Sequence, residues 1–383
     1  MNIKVFISIN TVWNIFNFRS GLIKAMVAQG YEVIAIAPDD EYSDRLKNLG
    51  CRFINLPMDN NGTHPGRDLL LLIRYLFLLR SERPSVYLGY TVKPNVYGSI
   101  AAQMLGIPAV NNIAGLGNTF INDNFLTHIV RRLYKFSLCR SYRVFFQNVD
   151  DRDLFIKIGL VRPEITDRVP GSGIDLSCYL PVPPLPLQRR SFIFLLIGRM
   201  LKDKGVREFI DAARIVRQQF PTTKFQLLGF VDATNFNAIS IEDIKSWEGE
   251  GLIDYLGKTD DVRPFLANAD CVVLPSYREG VPRSLLEAAA MARPIIATDT
   301  VGCKDVVDDG VNGLLCQVKD ADDLARKMVQ MVELSPQQRF EMGKAGRRKV
   351  EVEFDEKIVI QKYLAVLSEI RNAKTNCHKK RRV

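Results

Sequence analysis

The sequence predicts an α/β protein of two domains, each built on a parallel sheet. Three observations lead there. The chain has 383 residues, past the size at which a single hydrophobic core keeps growing. Short apolar runs alternate with helix-period segments in both halves, which is the pattern of a crossover-connected parallel sheet. Between the halves the composition shifts abruptly to proline and glycine.

Residues 4–9 read as a strand, 19–29 as a helix, and 32–37 as a second strand closed by Pro38 and two aspartates. Residues 86–89, 109–112 and 144–147 continue the same sheet, so the first domain is expected over 1–167. Pro170-Gly171-Ser172-Gly173 and then Pro181, Pro183, Pro184 and Pro186 predict an extended linker over 168–190. A second alternation follows over 191–354: strands at 192–197, 225–228, 271–274 and 294–297, with a helix at 206–218. A terminal helix at 355–372 is long enough to pack on either domain, and 373–383 reads as a basic tail.

The formal charge is +9, part of it in the terminal run His378, Lys379, Lys380, Arg381 and Arg382. On charge alone, nucleic acid, anionic lipid and phosphorylated small molecules are all compatible partners. The seven cysteines (Cys51, Cys139, Cys178, Cys271, Cys303, Cys316 and Cys377) form no CxxC or Cys/His ligand spacing. That pattern fits a reducing compartment and excludes a structural zinc. The apolar run 5–9 is too brief for a signal peptide. The run 69–79 is broken by Arg74 and falls short of the roughly 20 residues that cross a bilayer.

Two segments carry chemistry. The strand ending at Leu274 leads through Pro275-Ser276-Tyr277-Arg278 into Glu279, Gly280, Val281, Pro282, Ser284 and Glu287, then an alanine-rich helix. Ligands of open α/β sheets bind beyond the carboxyl ends of strands, where helix amides face them. Gly280 lets a ligand approach the backbone. Ser284-x-x-Glu287 also has the form of a capping box, so Glu287 has a structural reading beside the functional one. For Glu279 the plain alternative is a surface carboxylate. Gly198-Arg199 and Lys204-Gly205 follow the strand 192–197, and two cations on such a turn suit a diphosphate whose departing charge needs neutralising. A solvated basic turn is the alternative.

Asp151-Arg152-Asp153 has the DxD form of a divalent-metal site, but it follows Asn148 at a strand end, where acids complement a helix N-terminus; no metal or other cofactor is expected. Gly115-x-Gly117 lacks the third glycine of a dinucleotide fingerprint. Residues 125–144 hold Arg131, Arg132, Lys135, Arg140 and Arg143 without one acid, interleaved with Phe125, Leu126, Ile129, Leu133, Phe136 and Leu138. That segment reads either as a domain helix with one solvated face or as a surface for anionic lipid.

GRMLKDKG, followed by a Glu-x7-Glu segment of the form EGxPxSLLEA, resembles glycosyltransferase family 4, and the likeness covers nearly the whole chain. Residues 92–98 (VKPNVYG) and 111–117 (NNIAGLG) are similar to the bacterial subgroup that extends lipid-linked sugars for O-antigen, capsule or glycoprotein glycans. The resemblance implies a GT-B fold, two Rossmann-like domains with parallel sheets facing a central cleft. It implies that Arg199 and Lys204 hold the donor diphosphate, Glu279 the sugar hydroxyls and Glu287 the ribose. Amides of residues 280–284 would assist, and Leu256 and Lys258 would lie beside the base. Retention of anomeric configuration is implied, the leaving phosphate itself assisting deprotonation of the acceptor. Arg19, Lys93, Asn95, Asn112, Gly115 and Gly117 are the expected acceptor contacts. The chain departs from many relatives in having no histidine in the 114–117 loop, and Thr11-Val12-Trp13-Asn14 where they have a double glycine.

The expected activity is therefore transfer of a sugar, an N-acetylated hexosamine from a UDP donor, to an undecaprenyl-diphosphate-linked saccharide. Its expected place is the inner face of the cytoplasmic membrane, peripherally bound through residues 125–144. The rivals are a sugar-nucleotide epimerase of the same fold and a non-catalytic nucleic-acid-binding protein. The second lacks any recognised binding motif.

Overall fold

A computed structural model of the chain describes residues 3–59, 64–116, 125–183, 191–232, 235 and 237–380. The chain divides into two compact units, Met1–Ser172 with Glu356–Val383, and Gly173–Asp355.

The first unit holds the strands β1 Lys4–Ser8, β2 Glu32–Ala37, β3 Arg52–Asn55, β4 Val86–Tyr90, β5 Ala109–Ile113, β6 Arg143–Phe146 and β7 Thr166–Arg168. They form one parallel sheet in the order β3-β2-β1-β4-β5-β6-β7. The second unit holds β8 Ile193–Ile197, β9 Lys224–Leu228, β10 Asp254–Tyr255, β11 Cys271–Leu274, β12 Ile295–Thr298 and β13 Gly313–Cys316. These are again parallel, ordered β10-β9-β8-β11-β12-β13. In both sheets the chain works outward to one edge and then returns to the middle. The order thus reverses between β1 and β4 and between β8 and β11, and a crevice opens beyond the carboxyl ends of such a pair.

The central strands were the legible ones because they are apolar on both faces, as a sheet covered by helices on each side requires. Val5, Phe6 and Ile7 in β1 and Phe194, Leu195 and Leu196 in β8 are fully buried. By contrast β3, β7, β10 and β13 lie outside the expected set. All four lie at the edges of their sheets, and charged residues interrupt the apolar run in β3, β7 and β10.

Two expectations need correction. The linker expected over 168–190 is not extended in its first part: Ile174 is buried in the core of the second unit, and Leu176, Tyr179 and Val182 pack on it. The apolar residues between the prolines find that core; residues 184–190 lie outside the described residues. The terminal helix is also longer than expected, Glu356–Lys380, and takes in residues read as tail.

That helix belongs to the first unit. Val359, Tyr363, Val366, Leu367 and Ile370, spaced as one helical face, are buried in the core with Val5, Ile7, Leu88 and Phe145. Tyr363 stacks on Tyr90 with centroids 6.0 Å apart, and its hydroxyl accepts a hydrogen bond from Asn112 Nδ2 at 3.1 Å. Tyr363→Ala is expected to cost the first unit about 3–5 kcal/mol, read by denaturant unfolding. A loss under about 1 kcal/mol would mean that the helix does not dock there.

Candidate active site

The two segments expected to carry chemistry lie at the reversal point of the second sheet, beyond β8 and β11. After β8 the chain passes Gly198 and Arg199 and makes a 3-10 turn, Lys202–Lys204, before the helix Val206–Gln219. Gly205 sits between turn and helix with φ 70°. A Cβ there would run into the carbonyl oxygen of Pro275, so only glycine lets this turn lie against the exit of β11. Tyr277 holds the same seam. Its amide donates to the Asp203 carbonyl at 2.9 Å, and its hydroxyl donates to Glu208 Oε1 at 2.6 Å.

This packing brings Lys204 to Glu279. The ammonium forms an ion pair with Glu279 Oε1, the two side chains being 17% and 13% exposed. The same oxygen accepts from the Ser276 hydroxyl at 2.7 Å, and Ser276 is fully buried. The loop after β12 braces the backbone: the Glu279 amide donates to Val301 at 3.0 Å, and Thr300 Oγ1 donates to the Tyr277 carbonyl at 2.9 Å. Gly302, at φ 86°, lies so close to the Glu279 and Gly280 carbonyls that a Cβ would collide with both. One oxygen of this carboxylate is thus held by an ammonium and a hydroxyl. The group is a fixed, charged hydrogen-bond acceptor, suited to sugar hydroxyls.

Neither following helix has a side-chain cap. Gly205 precedes Val206–Gln219, and Pro282 is the N-cap of Arg283–Ala290. Both amino ends therefore present their partial positive charge at the reversal point, where an anion is favoured.

The capping reading of Ser284-x-x-Glu287 does not hold. Because Pro282 takes the N-cap position, Ser284 and Glu287 lie inside the helix, and Glu287 is too far along to reach the first amides. Glu287 is instead buried, its Oε1 accepting from the Tyr179 hydroxyl at 2.9 Å and from Arg283 Nε at 3.1 Å. Burial pushes its carboxyl above the ordinary range, while Arg283 and the Tyr179 hydroxyl pull it back. Gly280 and Pro282 are buried, and Val281 and Ser284 half-buried, in the same segment.

Arg199 is exposed beyond β8 and outside the Lys204–Glu279 contact. Leu256 is half-buried beyond β10, its amide donating to Leu227 at 2.8 Å, and Lys258 is exposed two residues on. Sequence reasoning assigned no side-chain role to Ser276, Tyr179 or Arg283. Ser276 was within reach, three residues before Glu279. Tyr179 was not, since it lies 108 positions from the glutamate it binds.

In the first unit the expected acceptor residues fare differently. Asn95 and Asn112 are buried in a polar network: Asn95 Nδ2 donates to the Asn112 carbonyl at 2.8 Å, and Asn111 Nδ2 to Asn95 Oδ1 at 2.9 Å. They brace the π-helical turn Pro94–Gly98 rather than offer free amides. Arg19 is buried too, its guanidinium 4.6 Å from the Tyr90 ring centroid. Lys93, beyond β4, pairs with buried Asp68 at 2.8 Å. Gly115 follows β5 with φ 121°, and Gly117 lies outside the described residues. Thr11 replaces the absent double glycine with a side-chain cap, accepting from the Asn14 amide at 3.2 Å.

The basic segment 125–144 is a helix, Phe125–Leu138, followed by β6. Its Val130, Tyr134 and Leu138 are core residues, leaving Ile129 and Phe136 exposed. Asp151 is buried in the first turn of the helix Val149–Lys157, where its amide donates to Asn148 Oδ1 at 2.7 Å, the arrangement of a capped helix.

Comparison with known proteins gives two family matches. Residues 18–171 match the glycosyl transferase 4-like domain, and residues 191–333 match glycosyl transferases group 1. A curated relative from Campylobacter jejuni, N,N'-diacetylbacillosaminyl-diphospho-undecaprenol alpha-1,3-N-acetylgalactosaminyltransferase, is 29% identical over 93% of this chain and 96% of its own. An Escherichia coli UDP-Gal:alpha-D-GlcNAc-diphosphoundecaprenol alpha-1,3-galactosyltransferase is 25% identical over 70% of this chain and 71% of its own. Among solved structures, a sucrose-phosphate synthase from Thermosynechococcus elongatus superposes with a TM-score of 0.80 at 18% identity, covering 97% of this chain and 100% of that one. Anabaena HepE in complex with UDP and glucose gives 0.76 at 18% identity, covering 96% and 100%.

Proposed function

We propose that this chain, which belongs to glycosyltransferase family 4 and has its GT-B fold, moves a sugar from a UDP donor to a saccharide carried on undecaprenyl diphosphate, retaining the configuration at the transferred carbon. The observation that carries this reading is the Lys204–Glu279 pair, seated at the reversal point of the second sheet with two uncapped helix ends beside it. In this reading the second unit holds the donor. Its diphosphate sits between Lys204, Arg199 and the helix ends, the sugar hydroxyls donate to Glu279, and the ribose hydroxyls donate to Glu287. Leu256 and Lys258 flank the base, and amides of the 280–284 segment assist.

As the bond to the sugar breaks, negative charge grows on the leaving diphosphate. Lys204 and the helix ends stabilise that charge more than they stabilise the bound donor. Lys204 and Ser276 hold Glu279 through Oε1, which leaves its other oxygen for the sugar hydroxyls, and in this reading the leaving phosphate takes the acceptor proton. The first unit would hold the acceptor, with Lys93 and the 115–117 loop beyond its strands; the buried Arg19, Asn95 and Asn112 would shape that region from beneath. The relatives' names supply the acceptor class, a sugar on diphospho-undecaprenol. In this reading the enzyme works on the inner face of the cytoplasmic membrane, where it meets such an acceptor. The cations of the Phe125–Leu138 helix are one means of staying there.

Glu287→Gln tests the donor half of this reading. Its amide oxygen can accept the same bonds from Tyr179 and Arg283, so the fold should hold, with thermal stability falling by about 1–3 kcal/mol as the charge opposite Arg283 is lost. Affinity for UDP, by calorimetry, should weaken about tenfold through loss of a charged acceptor for the ribose. Unchanged UDP affinity would leave Glu287 a purely structural residue.

A further inference from the structure

The helix Pro65–Glu82 begins behind His64, whose ring nitrogen accepts from the Arg67 amide, and buries Asp68, Leu71, Tyr75 and Leu79 against the first sheet. Its other side is not the polar face such a helix ordinarily turns to water. Leu69, Leu70, Ile73 and Phe77 are 59%, 46%, 39% and 72% exposed. At 3.6 residues per turn the four fall within about 100° of arc, opposite the buried four. A large phenyl group and three branched chains are thus held in water side by side.

We propose that this face lies on an anionic lipid surface, with the helix parallel to the membrane plane. Charge selects this occupant. Arg67 and Arg74 border the apolar stripe and Arg80 lies at its far end, while the helix's two acids are turned away from it. Asp68 is buried against Lys93 at 2.8 Å, and Glu82 is bound by Lys4 and Arg52. Arg67 pairs with Asp59 at 3.1 Å; Arg74 donates to the Pro57 carbonyl at 2.8 Å, and no acid pairs with it among the described residues. A cationic rim around an apolar stripe is the signature of interfacial binding, each such cation adding about fivefold to partitioning. The opposite face is core, and no helix among the described residues is long and apolar enough to cross a membrane; insertion is therefore shallow and one-sided.

A second observation ties this face to the rest of the unit. A cavity of about 340 Å³ opens beside it, lined by Arg67, Leu70 and Arg74 from the helix and by Pro38, Pro57 and Lys93 from just beyond β2, β3 and β4. The docking face and the carboxyl ends of the first sheet thus share side chains. A lipid-anchored molecule held at this surface meets Lys93 without leaving it. The inference deepens the reading of a lipid-linked acceptor and rests on that reading for its purpose, but its test does not depend on catalysis.

The test is co-sedimentation of the full chain with vesicles of phosphatidylglycerol and phosphatidylethanolamine in equal parts. The variant Leu69→Ser/Ile73→Ser/Phe77→Ser alters only exposed side chains and is expected to lower the partition coefficient at least tenfold. Ile129→Ser/Phe136→Ser, on the Phe125–Leu138 helix, should lower it less than threefold. Binding of the triple variant equal to the parent's, or a loss that follows the second variant instead, would overturn the proposal. Phe77→Trp guards against misfolding of the triple variant: with brominated-chain phosphatidylglycerol its fluorescence should be quenched beyond that of the parent's Trp13 and Trp247, and no added quenching would overturn the proposal equally. UDP affinity of the triple variant, unchanged under both outcomes, separates failure of this surface from failure of the donor site.

Discussion

Lys204→Ala should lose turnover by about two to three powers of ten while its affinity for UDP-sugar falls far less. Lys204 is carried on a turn that Gly205 and Tyr277 lock against the exit of β11, so it is placed before any donor arrives and needs no reorganisation as charge develops. Stabilisation of that kind appears in the transition state more than in the bound ground state, and its loss is read in kcat. The substitution also leaves Glu279 without its cation. The Ser276 hydroxyl still holds the carboxylate, and a modest drop in thermal stability should accompany the loss. Turnover unchanged, with the stability drop alone, would make Lys204 a structural ion-pair partner. Steady-state kinetics with calorimetry on the same preparation separates the two.

Glu279→Gln should cost about a hundredfold in kcat/KM and yet leave affinity for UDP itself within about twofold, because the proposed partners of Glu279 are sugar hydroxyls and the nucleotide lacks them. The amide can keep the Ser276 bond, so the backbone brace through Val301 and Thr300 should survive. What changes is the charge: a neutral acceptor binds hydroxyl donors about half as strongly as a carboxylate, and Lys204 loses the anion that orients it. The comparison of UDP with UDP-sugar is the informative one. Equal weakening of both would move Glu279 from the sugar to the phosphates.

Which parts of this arrangement were legible in the sequence follows from how local each part is. β1, β8 and β11 could be read because strands buried on both faces are apolar throughout. The turns after β8 and β11 could be read because their unusual residues stand directly behind those strands. Nothing in either turn revealed that Lys204 and Glu279 touch. That contact depends on Gly205 lying against Pro275, a meeting of distant segments. The capping reading of Ser284-x-x-Glu287 failed for a local reason: Pro282 occupies the N-cap position and starts the helix at Arg283, a register the motif alone does not fix. Asn95 and Asn112 were expected to contact the acceptor, yet the Asn95 amide is spent on the Asn112 carbonyl and the Asn112 amide on the Tyr363 hydroxyl, partners that lie in distant segments. The run 69–79 was read only against the length needed to span a membrane. Which of its residues face inward depends on the sheet beneath the helix, and that sheet is assembled from distant strands.

The central claim is acceptor-dependent transfer from a nucleotide sugar at the carboxyl edge of the second sheet. It is tested most directly by incubating the purified chain with UDP-N-acetylhexosamines, with and without an undecaprenyl-diphosphate-linked monosaccharide, and following UDP release and the anomeric configuration of the product by NMR. The account predicts UDP release only with acceptor present, and a lipid-linked product one sugar longer with the donor's α configuration kept. Epimerised donor formed without acceptor, or a product of β configuration, would contradict it.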